Sequence, residues 1–210
     1  MKKNRLILST LLMSVICLAS YAQGRPFVPK LMETKFGVKA GANLSTISNG
    51  LENIDFSPAM KAGFHLGVVA NLHFGYRDEG APAGTGWFGL QPELLYSRQG
   101  FAVGGEAISF DYLSLPIMAK LYVTENFNIE AGPYFAYLLG VSPNSTVIEG
   151  AQINLSVVKG GFDMGVGFGL GYEMKMGLTL GARYALGLSG MDTNLPWKNN
   201  VLSISAGWLF

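Results

Sequence analysis

Eight segments of the chain alternate strictly between large apolar residues and small or polar ones. The clearest is FDMGVGFGLGYEM, residues 162–174, in which glycine or an acidic residue separates each large apolar residue from the next. Side chains on a β-strand point to opposite faces in turn, so each segment has one apolar and one small or polar face. Such long alternation predicts strands and not helices. The predicted strands are 36–45, 63–74, 87–99, 108–122, 127–139, 162–174, 177–188 and 201–210.

The lengths of the strands and of their links indicate a membrane barrel. A tilted strand needs roughly 9–11 residues to cross a bilayer, and the predicted strands have about this length. Short turns at one end and longer loops at the other are typical of outer-membrane barrels. Tight turns are predicted at 123–126 and 174–177, with a longer turn at 75–86 on the same side. The longer loops are predicted at 46–60, 100–107, 140–160 and 189–200.

The orientation of the apolar faces distinguishes two architectures. A soluble lipocalin-like barrel turns its apolar face inward around a ligand, whereas a membrane barrel turns it toward lipid. Charged residues make up only 14% of the chain and 28 residues are glycine, which is too little charge for a soluble outer surface. We therefore expect an all-β fold: an eight-stranded antiparallel up-and-down transmembrane β-barrel with a filled polar lumen.

Aromatic residues of the apolar faces fall near the strand ends. Membrane barrels carry two aromatic girdles, one at each lipid–water boundary. One girdle is predicted to contain Phe36, Phe74, Phe88, Phe127, Tyr172 and Phe210. The other is predicted to contain Phe64, Tyr96, Tyr137 and Phe162, and Trp208 is a further predicted interface residue.

The opposite faces predict a crowded polar lumen, because an eight-stranded barrel is only wide enough for its own side chains. Glycines of 162–174 make room there for long charged chains. Counting from the turns places Arg183 beside Gly167 or Gly169 and Lys120 nearly opposite Glu130, so we expect Lys120 and Glu130 to pair. A structural salt-bridge network is favoured over a catalytic or conducting cluster. Its predicted members are Lys39, His65, Glu93, Lys120, Glu130 and Arg183.

The N-terminus predicts export. A basic start, an apolar run and small residues before Gln23 are typical of a secretory signal peptide over residues 1–22. A short periplasmic segment at 23–35 and the barrel domain at 36–210 would follow it. Cleavage would remove Cys17, the only cysteine, and would change the net charge from +1 to −2, because residues 1–22 carry three basic and no acidic side chains. This charge gives no support for a nucleic-acid partner.

Several motifs resemble the PorT-like outer-membrane β-barrel family of Gram-negative bacteria. They are GVKAGANLS (37–45), PELLYSRQG (92–100), YLSLPIMAKLY (112–122), EAGPYFAYLLG (130–140) and the terminal SAGWLF. The resemblance covers about residues 36–210 and implies an eight-stranded barrel in the outer membrane. The terminal Trp208-x-Phe210 resembles the signal read by the barrel-assembly machinery, which implies that machinery as a partner during biogenesis.

The expected function is non-enzymatic: a structural or interaction role in outer-membrane lipid, with a protein partner at the extracellular loops. The alternatives are a narrow porin-like passage for small solutes and an enzyme that modifies lipids or peptides. We predict no cofactor, no metal site and no catalytic residue. His65 and His73 share one strand face but lie roughly 26 Å apart, too far to bind one metal ion.

Overall fold

The computed structural model describes residues 30–48, 59–75, 87–103, 106–142, 145–148, 151–154, 161–188 and 198–210. They form the strands β1 Lys30–Ser48, β2 Ala59–Gly75, β3 Phe88–Val103, β4 Glu106–Tyr122, β5 Phe127–Ser142, β6 Ser145–Ile148, β7 Ala151–Asn154, β8 Phe162–Glu173, β9 Leu178–Gly187 and β10 Lys198–Leu209. Within these residues, no helix is long and apolar enough to cross a membrane. The predicted signal peptide, the segment up to residue 29 and much of the loops at 46–60, 75–86 and 189–200 lie outside the described residues.

Eight of the described strands form a closed barrel in the order β1-β10-β9-β8-β5-β4-β3-β2. The ladders from β2 through β3, β4, β5, β8, β9 and β10 to β1 are all antiparallel, including that of the first strand with the last. A closed barrel leaves no unpaired strand edge in lipid, which is the condition for a sheet to span a membrane. The predicted eight-stranded antiparallel barrel is therefore confirmed.

The apolar faces of the strands point outward, which confirms the predicted orientation. Phe168 is 52% exposed and Leu180 is 46% exposed, whereas their inward neighbours on the same strands line the lumen. The soluble lipocalin-like alternative requires these side chains to be buried, so it is excluded.

The outward aromatic residues pair across neighbouring strands. At the end of the barrel that carries the turns 123–126 and 174–177, here called the turn end, Phe127 lies opposite Tyr172. Phe74 lies opposite Phe88 at the same end, with ring centroids 5.9 Å apart. At the other end, called the loop end, Tyr137 lies opposite Phe162, and the rings of Phe64 and Tyr96 are 5.9 Å apart. Their role as membrane-interface anchors stays a prediction.

The loop predicted at 100–107 is wrong. Strand β3 continues to Val103 and β4 begins at Glu106, and the ladder between them extends through Phe101–Ile108 to this final pair. Beyond Tyr96 the outward position holds Arg98, and the inward positions hold Ser97, Gln99 and then the apolar Phe101, so the alternation that marks a membrane strand is lost although the strand continues.

The barrel wall is taller on one side than on the other. Strands β1 to β5 have 16 to 19 residues, whereas β8, β9 and β10 have 10 to 12. A tilted 16-residue strand rises about 37 Å, which exceeds the apolar band of about 25 Å. In β2 to β5 the surplus lies at the loop end, so this part of the wall extends beyond the membrane there. The surplus of β1 precedes Gly37 at the turn end, because Ser48 at its other end is level with the first residue of β10. The hairpin β6–β7 lies within the predicted loop 140–160.

Candidate functional site in the barrel lumen

Four charged side chains meet in the middle of the lumen and form the central ion network: Lys39, Glu93, Glu130 and Arg183. Arg183 donates from Nη1 and Nη2 to the two carboxylate oxygens of Glu93, at 2.9 and 2.8 Å. Its Nε donates to Glu130 Oε1 at 2.7 Å, and Lys39 Nζ donates to Glu93 Oε1 at 3.1 Å. The Glu93 side chain is fully buried. Two cations thus neutralise two carboxylates, and the two-point Arg183–Glu93 contact fixes their geometry.

Glycine on the neighbouring strand makes the space for this network. Gly169 lies opposite Arg183 in the β8–β9 ladder, as predicted. A Cβ on Gly169 would stand only 2.8 Å from Glu130 Oε1 and 2.7 Å from the carbonyl oxygen of Ala182. A side chain at residue 169 would therefore displace Glu130 from Arg183.

The predicted ion pair between Lys120 and Glu130 is wrong, although the two residues are register partners in the β4–β5 ladder. Lys120 Nζ instead donates to Glu173 Oε1 at 2.7 Å. Glu130 is already held by Arg183, and Glu173 at the end of β8 reaches across the narrow lumen. Counting residues from a turn identifies the hairpin neighbour but not this cross-lumen contact.

Glu173 is the centre of a second polar group at the turn end, the turn-end cluster, which sequence analysis did not include in the network. Tyr122 donates its hydroxyl to Glu173 Oε1 at 3.0 Å, and Asn71 Nδ2 donates to both carboxylate oxygens at 3.2 Å. The His73 ring stacks on Tyr122 with centroids 4.2 Å apart. The inward position of Glu173 in the alternating segment 162–174 was the available signal. The cluster consists of Asn71, Lys120, Tyr122, Asn128 and Glu173.

His65 lies apart from the charged pairs and contacts an amide. Its Nδ1 donates to Asn43 Oδ1 at 2.8 Å, because Asn43 Nδ2 points toward the carbonyl oxygens of Phe64 and Arg98, both at 3.2 Å. The β2–β3 register shifts between Met60 and Phe64, so Asn43 satisfies backbone groups near an irregularity. In the residues that the structure describes, no three His, Cys, Asp or Glu side chains could hold a metal ion.

A cluster of apolar side chains, the upper apolar core, lies at the loop end of the lumen. Phe101 and Ile108 are completely buried, and the rings of Phe101 and Phe110 are stacked 6.0 Å apart. Phe101 and Ile108 pair with each other beyond Tyr96 of the loop-end girdle. The Phe101–Ile108 pair therefore lies in the part of the barrel that rises above the membrane, whereas Tyr134 and Ala136 lie on the membrane side of Tyr137. Its buried members are Ile47, Phe101, Ile108, Phe110, Tyr112, Tyr134, Ala136, Leu138 and Val141.

A cavity of about 60 Å³ lies between the ion network and the upper apolar core. Its lining includes Lys39 and Arg183 from the network, His65, and Tyr134 from the apolar core. At about 15 Å³ per water centre, it has room for about four water molecules. The described lumen is thus packed with its own side chains, and this space is too small for a lipid or peptide.

The closed barrel, with apolar residues outside and ion pairs inside, defines the class of outer-membrane β-barrel proteins. Residues 21–193 match the family model described as outer membrane protein beta-barrel domain, and the chain belongs to this family. The protein is an outer-membrane protein of the Gram-negative type. Among curated proteins, none matches the sequence.

Solved structures share the architecture. Neisserial surface protein A is 15% identical with a TM-score of 0.56, and the match covers 85% of this chain and 99% of that one. The attachment invasion locus protein Ail of Yersinia pestis is 18% identical with a TM-score of 0.47, covering 85% of this chain and 100% of that one. At 15% identity the likeness to neisserial surface protein A concerns the fold alone.

Proposed function

We propose that the protein is a non-enzymatic outer-membrane barrel that acts through its extracellular end. This proposal rests on a difference along the barrel axis: the lumen is filled, and the wall extends further at the loop end. The ion network and the upper apolar core fill the described lumen, whereas strands β2 to β5 and the hairpin β6–β7 extend the wall at the loop end. Loops on a rigid scaffold are a common site of recognition. The membrane part then serves as an anchor and the raised wall as the contact surface for a protein partner.

The motifs at 37–45, 92–100, 112–122 and 130–140 support membership of the PorT-like family of outer-membrane barrels. Within that assignment, the N-terminal segment 1–22 acts as a cleaved signal peptide. The terminal Trp208-x-Phe210 acts as the recognition signal for the barrel-assembly machinery. Trp208 and Phe210 are 43% and 74% exposed on the outer face, where an assembly partner could contact them.

Crosslinking and affinity capture from intact outer membranes test the interaction role. Deletion of 143–157, which contains β6 and β7, is expected to leave a folded barrel and to abolish capture of the partner. The matched control replaces the same segment with a Gly/Ser linker of equal length, which keeps the span but removes the side chains. Capture that survives both changes would place the contact elsewhere, and a truncated barrel that fails to fold would make the segment structural.

The narrow-porin alternative receives no support from the packing of the lumen, since aqueous channels are typical of barrels with about 16–18 strands. We expect the purified protein to be silent in planar bilayers. A steady ohmic conductance step would revive the alternative. For the enzyme alternative, His65 is the one residue that we would nominate as catalytic. Unchanged activity of His65→Ala in a survey of lipid and peptide substrates would remove that residue.

A further inference from the structure

The outer face of the barrel carries a small cationic patch at the loop end, directly beyond the aromatic girdle. Phe64 of β2 is the register partner of Arg98 of β3, and Arg98 is the partner of Asp111 of β4. Arg98 lies two residues beyond Tyr96 on the same strand face, which is about 6.6 Å further along the strand. We call this surface the girdle-edge patch. Its members are Lys61, Arg98, Ser109 and Asp111.

Lys61 reaches the patch because the neighbouring strand has a glycine in the path of its side chain. The β2–β3 register shifts between Met60 and Phe64, and Gly100 of β3 is the register partner of Ser109 of β4. The Lys61 side chain passes over Gly100, where a Cβ would stand 3.1 Å from Lys61 Cδ. Its Nζ then donates to Ser109 Oγ. The Lys61 ammonium is therefore held on the outer face by a hydroxyl group and not by a carboxylate.

The girdle-edge patch has more positive than negative charge. Oδ1 of Asp111 accepts a hydrogen bond of 2.7 Å from the Tyr96 hydroxyl and lies 3.6 Å from Arg98 Nε. The same carboxylate attracts the Lys61 ammonium, whereas Arg98 repels it. Within the described residues, the patch thus has two cations for one carboxylate. Arg98 faces Asp111 through Nε, so its two Nη groups are left for a further acceptor.

We propose that the girdle-edge patch binds the phosphate group of a lipid headgroup in the outer leaflet. The longer loops of outer-membrane barrels are extracellular, so the girdle with Tyr96 lies at the outer leaflet. A step of 6.6 Å along a strand tilted by about 40° is a rise of about 5 Å. The headgroup layer is about 5–7 Å thick on each side of the hydrocarbon, so Arg98 lies at the height of the phosphates.

The donors of the patch match the chemistry of a phosphate group. The Nη groups of Arg98 can donate in parallel to two phosphate oxygens, and Lys61 adds a compact positive charge. The Ser109 oxygen accepts from Lys61, which leaves its O–H free to donate to a third oxygen. Three different donors on three neighbouring strands therefore converge on one acceptor with several oxygens.

The position of the patch disfavours other occupants. A hydrocarbon chain gains nothing from two cations, and a protein partner would have to enter the headgroup layer to reach Arg98. At a similar height on β5 the outward residue is Leu139, which is 50% exposed, so the cations are confined to one part of the wall. This site goes beyond the proposed function, because it does not use the hairpin β6–β7. The two proposals can therefore fail separately.

Native mass spectrometry of the folded protein in mild detergent tests the site with two lipids of identical acyl chains. Phosphatidic acid carries a phosphate monoester, and phosphatidylcholine carries a zwitterionic headgroup, so contacts to the chains cancel in the ratio of the two bound fractions. We expect the wild type to prefer phosphatidic acid by about tenfold, the effect of one charge-assisted contact. Arg98→Gln and Lys61→Gln should each bring this ratio close to one.

Two further variants separate a phosphate site from a general effect of charge. Asp111→Asn removes the carboxylate that competes for both cations, so it should raise the preference for phosphatidic acid above that of the wild type. Lys198→Gln is the matched control, since Lys198 is an exposed cation at the loop end of β10, outside the patch. It should leave the ratio unchanged. Inorganic phosphate at the concentration of the lipids should leave it unchanged as well.

Migration of unheated protein in detergent gels checks that each variant is folded. Equal binding of the two lipids by the wild type overturns the proposal, even if no variant folds. A loss of preference in Lys198→Gln as large as in Arg98→Gln overturns it too, because net charge would then explain the binding. Displacement of phosphatidic acid by inorganic phosphate would overturn the lipid as the source of the phosphate group.

Discussion

The two halves of the lumen fill similar space with opposite chemistry. From the turn end to the middle, the inward side chains are charged and paired, as in the Arg183–Glu93 contact. At the loop end the large inward side chains are mostly apolar, and Phe101 and Ile108 are fully buried beside smaller buried polar residues such as Ser45. The surroundings explain the difference. Where lipid covers the outside, the hydrophobic effect cannot hold the wall together and polar contacts across the lumen do so. Where water covers the outside, burial of apolar side chains stabilises the barrel as in a soluble protein.

The outer surface changes at the same level as the lumen. Tyr96 of the loop-end girdle donates its hydroxyl to Asp111 at 2.7 Å, and Asp111 lies 3.6 Å from Arg98 Nε. A charged pair on the outside directly beyond an aromatic ring marks the boundary with water. The barrel therefore has two segments. The membrane segment has a mainly polar interior, and the raised segment has a mainly apolar interior.

The largest expected effect is in the polar half. Glu93→Gln removes the charge that Arg183 and Lys39 share, which leaves buried positive charge without compensation. Breaking a buried pair in this way costs about 3–5 kcal/mol of unfolding free energy. Reversible urea unfolding in lipid vesicles measures it. Glu125→Gln is the control, since Glu125 pairs with Lys175 at 3.3 Å on the surface, and its loss should cost no more than about 0.5 kcal/mol. Equal effects would mean that the lumen is hydrated like the surface.

A somewhat smaller effect is expected in the apolar half. Phe101→Ala should cost about 3 kcal/mol, the value for a large-to-small change in a soluble core. It should also raise amide hydrogen exchange in the ladder between Phe101 and Ile108 more than at the turn end. Leu139→Ala is the comparison, because Leu139 is 50% exposed on the outer face at a similar height. Faster exchange throughout the barrel would show that the two halves unfold together and not separately.

The sequence predicts the membrane half of the fold better than the raised half. Alternation identifies all eight barrel strands, because lipid requires an apolar outside and a narrow lumen requires small or polar residues inside. Phe101 occupies an inward position where water, not lipid, covers the wall, so the same rule misassigned it to the loop 100–107. Long-range contacts such as Lys120–Glu173 also escape the sequence, since they depend on which side chain is already engaged across the lumen.

Coupling energies can test whether Lys120 pairs with Glu173 or with Glu130. A double-mutant cycle of Lys120→Met with Glu173→Gln should give a coupling of about 1–2 kcal/mol, because these residues share a hydrogen bond of 2.7 Å. The cycle of Lys120→Met with Glu130→Gln should give a clearly smaller value, since Glu130 is bound by Arg183. Urea unfolding of the four variants in each cycle provides the numbers. A larger coupling energy for Lys120 with Glu130 than with Glu173 would support the ion pair between Lys120 and Glu130 that the sequence predicted.

The smallest effects distinguish two neighbouring glycines of the polar half. A Cβ on Gly167 would meet Met118 Cε at 3.4 Å and Arg183 Cδ at 3.5 Å, which is ordinary van der Waals contact. Gly167→Ala should therefore be neutral or stabilise the barrel by up to about 0.5–1 kcal/mol, because alanine loses less backbone entropy on folding than glycine does. Gly169→Ala should destabilise it instead, since its Cβ would collide with Glu130 Oε1 and the Ala182 carbonyl oxygen. The midpoints of urea unfolding compare the two variants directly. If both substitutions shift the midpoint in the same direction, Gly167 and Gly169 do not differ in making room for the ion network. The inward glycines would then serve only to limit the volume of side chains in the lumen.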